Sequence, residues 1–106
     1  MKKVIRNGKV AILISPGFGA GWSTWNNYTF KETLLFHPKL IEMVENGNRN
    51  NITERWMKKN LSLNNIYCGG TEQLKIEWLP IGTTFEISEY DGSECIRTNT
   101  DLFLEA

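Results

Sequence analysis

The chain has 106 residues, of which 12 are basic and 12 acidic, so its formal net charge is zero. This length predicts a single domain spanning residues 1–106, because the chain is too short to bury two independent cores. Duplex nucleic acid is bound mainly by neutralising phosphates, so zero net charge argues against a nucleic-acid partner. No apolar run approaches the roughly 20 residues of a membrane span. We therefore expect no membrane partner and a cytoplasmic location.

The first predicted element is a buried strand. Residues 9–15 form an almost continuous apolar run, which is typical of a β-strand inside a core. Pro16 ends this run, and residues 17–22 follow it with three alternating glycines. We call residues 17–22 the glycine loop.

Two short helices are predicted in the middle of the chain. Pro38 suits the first turn of a helix, where its missing N–H costs nothing, and this helix ends near Glu45. Thr53 suits the N-cap of a second helix, which ends near Asn60. Before the first helix, residues 31–36 are expected to form only a short turn.

The last part of the chain predicts antiparallel strands. Apolar and charged residues alternate over residues 74–78, as in a half-buried strand. Asp91-Gly92 is a strong signal for a two-residue hairpin turn. A turn centred there places Ile87 opposite Ile96.

The same register places Phe85 opposite Thr98, and Leu102 and Leu104 are expected to supply a last short strand. The order of elements predicts an α+β fold. In this fold an N-terminal strand and two short helices precede a curved antiparallel sheet with helices on one face.

The glycine loop is the most unusual local feature. Alternating glycines let backbone N–H groups approach a ligand, and successive N–H groups form an anion-binding concavity. Trp22 and Trp25 would stack on a flat group. The side chains of Ser23, Thr24 and Asn26 would hydrogen-bond to it and fix its orientation. The spacing is GxGxG, which matches neither GxGxxG nor a P-loop. The predicted ligand-binding residues of this segment are Gly17, Phe18, Gly19, Gly21, Trp22, Ser23, Trp25 and Asn26. The alternative is a tight strand-to-helix connection whose tryptophans fill the core.

Two arginines complete the predicted ligand site. Arg55 or Arg97 would grip a phosphate group if either lies near the glycine loop. The acidic residues around the hairpin are Glu86, Glu89, Asp91 and Glu94. A solvated strand edge explains this acidic cluster at least as well as an active site does.

No catalytic constellation emerges from the sequence. His37 is the only histidine, and without an HxxxH or HExxH pattern we predict no metal and no cofactor. Because His37 precedes Pro38, a capping or packed side chain is expected there. Cys68 and Cys95 form no CxxC pair, which argues against a disulfide framework, and Cys68 is a poor candidate for a nucleophile. A small hydrolase or transferase using His37 with a carboxylate remains a third alternative.

Four short sequence motifs show a resemblance to other proteins that spans nearly the whole chain. SPGFGAGW at residues 15–22, FHPK at 36–39, CGG at 68–70 and EYDGSE at 89–94 resemble a group of small uncharacterised proteins of bacteriophages and their hosts. This resemblance identifies no activity and no functional residues. It implies a phage accessory protein, a class that often inhibits a host enzyme or sequesters a host defence nucleotide.

These observations lead to two hypotheses of different classes. The first is a non-enzymatic binding protein that sequesters a small nucleotide-like ligand, such as a cyclic or ADP-ribose-derived signal. A homo-oligomer is then expected, because a pocket shared between subunits encloses more of the ligand. The alternative is an inhibitor of a host protein, with Trp22, Tyr28 and Phe30 as interface anchors. The two hypotheses differ in whether the tryptophans face solvent or the core.

Overall fold

A computed structural model describes residues 2–98 of the chain. Within this range the fold is α+β, as predicted, with three α-helices and five β-strands. The strands are β1 (Ile5–Arg6), β2 (Lys9–Ile14), β3 (Lys75–Pro80), β4 (Phe85–Tyr90) and β5 (Ser93–Thr98), and the helices are α1 (Lys31–Phe36), α2 (Pro38–Glu45) and α3 (Glu54–Leu61). The strand predicted around Leu102 and Leu104 lies outside the described residues.

The strands form two antiparallel sheets rather than the one curved sheet that was expected. β2 lies between β1 and β3 in a three-stranded sheet, and β4 pairs with β5 in a two-stranded sheet. The backbone amide of Ala11 donates to Val4 on the β1 side of β2. In an antiparallel strand the backbone groups of alternate residues point to the same neighbouring strand, so the carbonyl of Ser15 also points to the β1 side. It accepts a hydrogen bond from the amide of Glu94 at 2.9 Å. The β4–β5 hairpin is thus attached beyond the end of β2.

The hairpin of β4 and β5 has the predicted register. Ile87 lies opposite Ile96, and Phe85 lies opposite Thr98. Asp91 and Gly92 both have positive φ angles, of 48° and 84°, as a two-residue turn of this hand requires.

β1 was not predicted, although the sequence contains its signal. Asn7 and Gly8 join β1 to β2 with positive φ angles of 51° and 74°. Asn-Gly is the dipeptide most favoured in such turns. The sequence prediction began at residue 9 and so missed the short strand that precedes the turn.

The helices follow their local capping signals. α2 has the predicted bounds, and the Nδ1 atom of His37 accepts from the backbone amide of Lys39 at 3.1 Å, which confirms the expected capping role. At the start of α3, the Thr53 hydroxyl accepts from the amide of Trp56 at 3.1 Å. Residues 31–36, expected as a short turn, form α1.

The core lies on both faces of β2. Ala11 and Leu13 belong to the larger buried cluster, which also contains Trp22 and residues of all three helices. Ile12 and Ile14 point to the opposite face and pack in a second cluster with residues of α1 and the β4–β5 hairpin. Because both faces of β2 are buried, its sequence is a continuous apolar run and does not alternate between apolar and polar residues.

Candidate functional site

The segment around the glycine loop folds about a buried carboxylate on β5. Glu94 is only 1% exposed. Its Oε1 atom accepts from the backbone amide of Ser15 at 2.9 Å. Its Oε2 atom accepts from the amide of Trp22 at 2.8 Å, from the amide of Thr24 at 3.1 Å and from the Thr24 hydroxyl at 2.6 Å. The anion that these backbone amides bind is therefore supplied by the chain itself.

Within residues 2–98, no lysine or arginine forms an ion pair with Glu94. The amide dipoles and the Thr24 hydroxyl therefore provide the hydrogen bonds that a buried carboxylate requires. A phosphate approaching these same amides would meet donors already in use and a negative charge beside them. Residues 15, 22 and 24, at the end of the glycine loop and on either side of it, are consequently arranged to hold Glu94 in place.

The expectation that Glu94 belongs to a solvated strand edge was wrong. Residues 94, 96 and 98 share one face of β5, because successive side chains in a strand alternate between faces. The predicted register placed Ile96 opposite Ile87, and in the structure both side chains pack against the smaller core cluster. The same alternation therefore places Glu94 inward, and this was the sequence signal that could have found it.

The glycines of the loop have structural reasons for their presence. A Cβ atom on Gly21 would overlap the indole ring of Trp25, so this position admits only glycine without a rearrangement. Gly19 has a φ angle of 71°, which side chains other than glycine rarely adopt. A Cβ atom on Gly17 would come within 2.8 Å of the Gln73 side chain. Packing and turn geometry thus account for the alternating pattern without a ligand.

The two tryptophans next to the loop have different environments. Trp22 is fully buried, and its Nε1 donates to the carbonyl of Leu34 at 2.9 Å. A ligand at the protein surface therefore cannot reach the Trp22 ring. Trp25 is 40% exposed, donates from Nε1 to Glu89 at 3.2 Å, and stacks at a tilt on Tyr67 with 5.4 Å between ring centroids. Only Trp25 of this pair presents an aromatic surface.

The polar residues predicted for the site point into the protein. Asn26 donates from Nδ2 to the carbonyls of Trp22 and Tyr67, at 2.9 and 3.1 Å, and accepts at Oδ1 from the amide of Tyr67 at 2.7 Å. These three bonds join the loop to the segment before Cys68. Ser23 is 5% exposed, and its hydroxyl has no hydrogen-bond partner among residues 2–98.

The structure does not bring the predicted arginines to the loop. Arg97 is exposed on β5, three residues after Glu94, so its side chain points to the opposite face of the strand. Arg55 is exposed on α3. No hydrogen bond or ion pair from Arg55 or Arg97 to the glycine loop occurs in the described part of the chain. The ligand site named from the sequence stays a prediction, and Phe18 and Trp25 are its exposed aromatic members.

Three aromatic side chains are exposed around the hairpin turn. Phe18 is 72% exposed and Tyr90 is 77% exposed, and their rings meet edge to face with 6.4 Å between centroids. Trp25 lies against the same turn, since a Cβ atom on Gly92 would come within 2.8 Å of its ring. We call Phe18, Trp25 and Tyr90 the loop–hairpin surface.

Several hydrogen bonds hold this surface in one arrangement. The amide of Gly19 donates to the carbonyl of Asp91 at 2.5 Å, and the Ser93 hydroxyl donates to the carbonyl of Pro16 at 2.7 Å. Together with the Glu94 hydrogen bonds, they join the glycine loop to the hairpin. These hydrogen bonds fix the backbone that carries the exposed aromatic rings. Less conformational entropy is therefore lost when a partner binds to the rings.

The pKa values of two side chains that were considered for catalysis are shifted from their ordinary values. Burial lowers the pKa of His37, and the nearby Lys39 charge lowers it further. Burial raises the pKa of the Cys68 thiol to about 11, with a smaller contribution from Glu54. Cys68 is therefore a protonated thiol at neutral pH and a weak nucleophile.

Residues 2–98 contain neither a metal-binding cluster nor a membrane-spanning helix. No group of three or more His, Cys, Asp or Glu side chains there is arranged to hold a metal ion. Over the same range, every helix is too short or too polar to cross a membrane. Comparisons of the chain with protein-family models, curated proteins and solved structures found no match.

Proposed function

We propose that this chain is a non-enzymatic binding protein that contacts a partner protein through the loop–hairpin surface. The observation that carries the proposal is the edge-to-face pair of Phe18 and Tyr90, two aromatic side chains that are each more than 70% exposed. Contiguous exposed aromatic side chains often mark a binding surface, and large aromatic side chains are frequent anchors of protein interfaces. The hydrogen bonds that join the glycine loop to the hairpin hold both rings in place and favour this role.

The proposed anchors differ from those named from the sequence. Trp22 is buried, and Phe30 is half-buried against the core. Tyr28 is 81% exposed, but it lies on the 3-10 turn Tyr28–Phe30, outside the loop–hairpin surface. Phe18 and Tyr90 therefore replace Trp22 and Phe30 as anchors in this proposal.

Capture of a nucleotide by the glycine loop has less support than binding of a protein. That hypothesis needs free amides and a stacking tryptophan next to them. The amides of Trp22 and Thr24 bind Glu94, and the Trp22 ring is in the core. A partner that contacts side chains from outside does not compete with these bonds.

The resemblance to phage proteins suggests the partner. In this proposal it is a protein of the bacterial host, met in the host cytoplasm. A host target would offer an apolar pocket for the Phe18–Tyr90 pair, surrounded by polar groups that exclude water.

The test is site-specific cross-linking followed by affinity measurement. A photoreactive phenylalanine replaces Phe18 or Tyr90 in the chain, expressed in the bacterial host, and replaces Tyr28 in the control. Cross-links to one host protein from positions 18 and 90, and not from position 28, are expected. With that protein purified, Phe18→Ala and Tyr90→Ala should each weaken binding by about 30-fold, the range of an interface anchor.

The control substitution is Tyr28→Ala, which removes a similarly exposed ring outside the loop–hairpin surface and should leave affinity unchanged. Circular dichroism and melting temperature confirm that each variant is folded. Affinity that survives both Phe18→Ala and Tyr90→Ala would refute the proposal. A cross-link only to a second copy of the chain would also refute it, and would instead support the homo-oligomer.

A further inference from the structure

A separate groove lies between the 3-10 turn Tyr28–Phe30, helix α1 and the start of β4. Its volume is about 770 Å³, within the range of roughly 300–1,000 Å³ that is typical of small-molecule sites. The residues that line it are Lys3, Tyr28, Thr29, Lys31, Glu32, Thr33, Leu35, Phe36, Phe85 and Glu86. No residue of the loop–hairpin surface is among them.

Two ammonium groups face aromatic rings in this groove. The Nζ atom of Lys3 lies 4.3 Å from the ring centroid of Phe36, and that of Lys31 lies 5.6 Å from the centroid of Tyr28. In the described part of the chain, neither lysine forms an ion pair with a carboxylate. Both positive charges therefore remain available to an anion that enters the groove.

Part of the groove wall is aromatic. Phe36 and Phe85 meet edge to face, with 6.2 Å between their centroids, and both line the groove. Phe36 is anchored in the smaller core cluster, and Phe85 packs against it. Phe85 is only partly buried, so its ring offers a flat ligand an apolar surface that does not need to be assembled on binding.

The polar lining limits which anions fit. Glu32 and Glu86 lie in the same groove as the two lysines, so the lining charges sum to zero. The carboxylates accept hydrogen bonds from hydroxyl or amino groups and repel a ligand of high negative charge. Thr33 adds a hydroxyl at the groove wall. A long polyanion such as nucleic acid is therefore a poor fit.

The geometry points to a binding site for a small ligand that combines one anionic group with a flat, hydrogen-bonding ring, as in a nucleoside monophosphate. Lys3 and Lys31 bind the anion, the ring packs on Phe85, and Glu32 or Glu86 accepts from the ring or sugar. This site is distinct from the proposed protein-binding surface and does not depend on it.

The test uses adenosine 5′-monophosphate as the probe, with adenosine and inorganic phosphate as its two halves. In amide NMR spectra of the whole chain, the nucleotide should shift the signals of Thr29, Thr33 and Phe85. Its dissociation constant should be about 1 mM or lower, and each half alone should bind at least tenfold more weakly. Absence of shifts at these amides would overturn the proposal.

A pair of double variants tests the charge argument. Lys3→Ala with Lys31→Ala should weaken nucleotide binding by at least about tenfold, because two charge-assisted contacts are lost. Lys58→Ala with Lys59→Ala removes the same charge from the exposed face of α3 and should change nothing. Equal affinity in both double variants would overturn the site. The groove variant should still bind the protein partner, so failure here is distinguishable from failure of the proposed function.

Discussion

The backbone amide of Trp22 donates a hydrogen bond to the carboxylate of Glu94 at 2.8 Å, although the two residues are 72 positions apart in the chain. Both residues are almost completely buried, at 0% and 1% exposure. The contact joins the end of the glycine loop to β5, the last strand of the described residues. The core position of the Trp22 ring and the attachment of the hairpin therefore depend on the same carboxylate.

Glu94→Gln is expected to lower the free energy of unfolding by about 3 kcal/mol, because a buried charge-assisted network is broken. The amide of glutamine keeps one acceptor oxygen but turns an NH₂ group toward backbone donors. Urea unfolding at neutral pH measures the change. Glu72→Gln, at an exposed acidic position, is the matched control and should stay within about 0.5 kcal/mol of the parent protein. Equal stability of both variants would show that the carboxylate is not needed.

Trp22→Ala and Trp25→Ala should have unequal effects on stability. Removing the fully buried Trp22 ring leaves a large cavity and an unpaired Leu34 carbonyl, so a loss of about 4 kcal/mol is expected. Trp25 is partly exposed and should cost about 1–2 kcal/mol. Thermal and urea unfolding distinguish the two. A larger loss for Trp25 than for Trp22 would contradict the assignment of Trp22 to the core.

His37 should make stability depend on pH below neutrality. Burial holds its pKa in the folded protein below the ordinary value of 6.5, so the unfolded chain takes up a proton first as the pH falls. Stability should therefore decrease from about pH 6.5 downward through the folded-state pKa, and His37 should contribute no change above that range. The neutral imidazole also caps α2, and protonation of Nδ1 removes its acceptor.

His37→Asn is the control for this pH effect, because asparagine accepts the same capping hydrogen bond and does not titrate. Urea unfolding of both proteins at a series of pH values gives the difference due to histidine alone. Parallel stability curves of the two proteins below pH 6.5 would be incompatible with the prediction.

The two cysteines should differ in their reactivity toward iodoacetamide. Cys95 is exposed, whereas Cys68 is half-buried with a pKa raised to about 11, so little of it is thiolate near neutral pH. Peptide mass spectrometry after short exposure should find Cys95 alkylated well before Cys68. In denaturant the two rates should converge, since the burial of Cys68 is then lost. Equal rates in the folded protein would contradict this prediction.

Elements governed by neighbouring residues were predicted well. Pro38 and the His37 cap define the start of α2, and Thr53 defines the start of α3, because capping involves atoms within a few positions. The Asp91-Gly92 turn likewise determines the register of β4 and β5. Helix α1 was underestimated, since its six residues gain their stability from burying Leu34 and Leu35 rather than from local signals.

The sequence by itself determined the α+β class, the starts of α2 and α3 and the hairpin register, all of which follow from short-range hydrogen bonding and periodicity. Only the tertiary structure decided that Trp22 lies in the core while Trp25 lies at the surface, three residues away. It also decided that the backbone amides of Trp22 and Thr24 bind the carboxylate of Glu94. The physical reason is that burial of a ring and satisfaction of a carboxylate depend on groups brought together from distant parts of the chain, and local spacing carries no record of those partners.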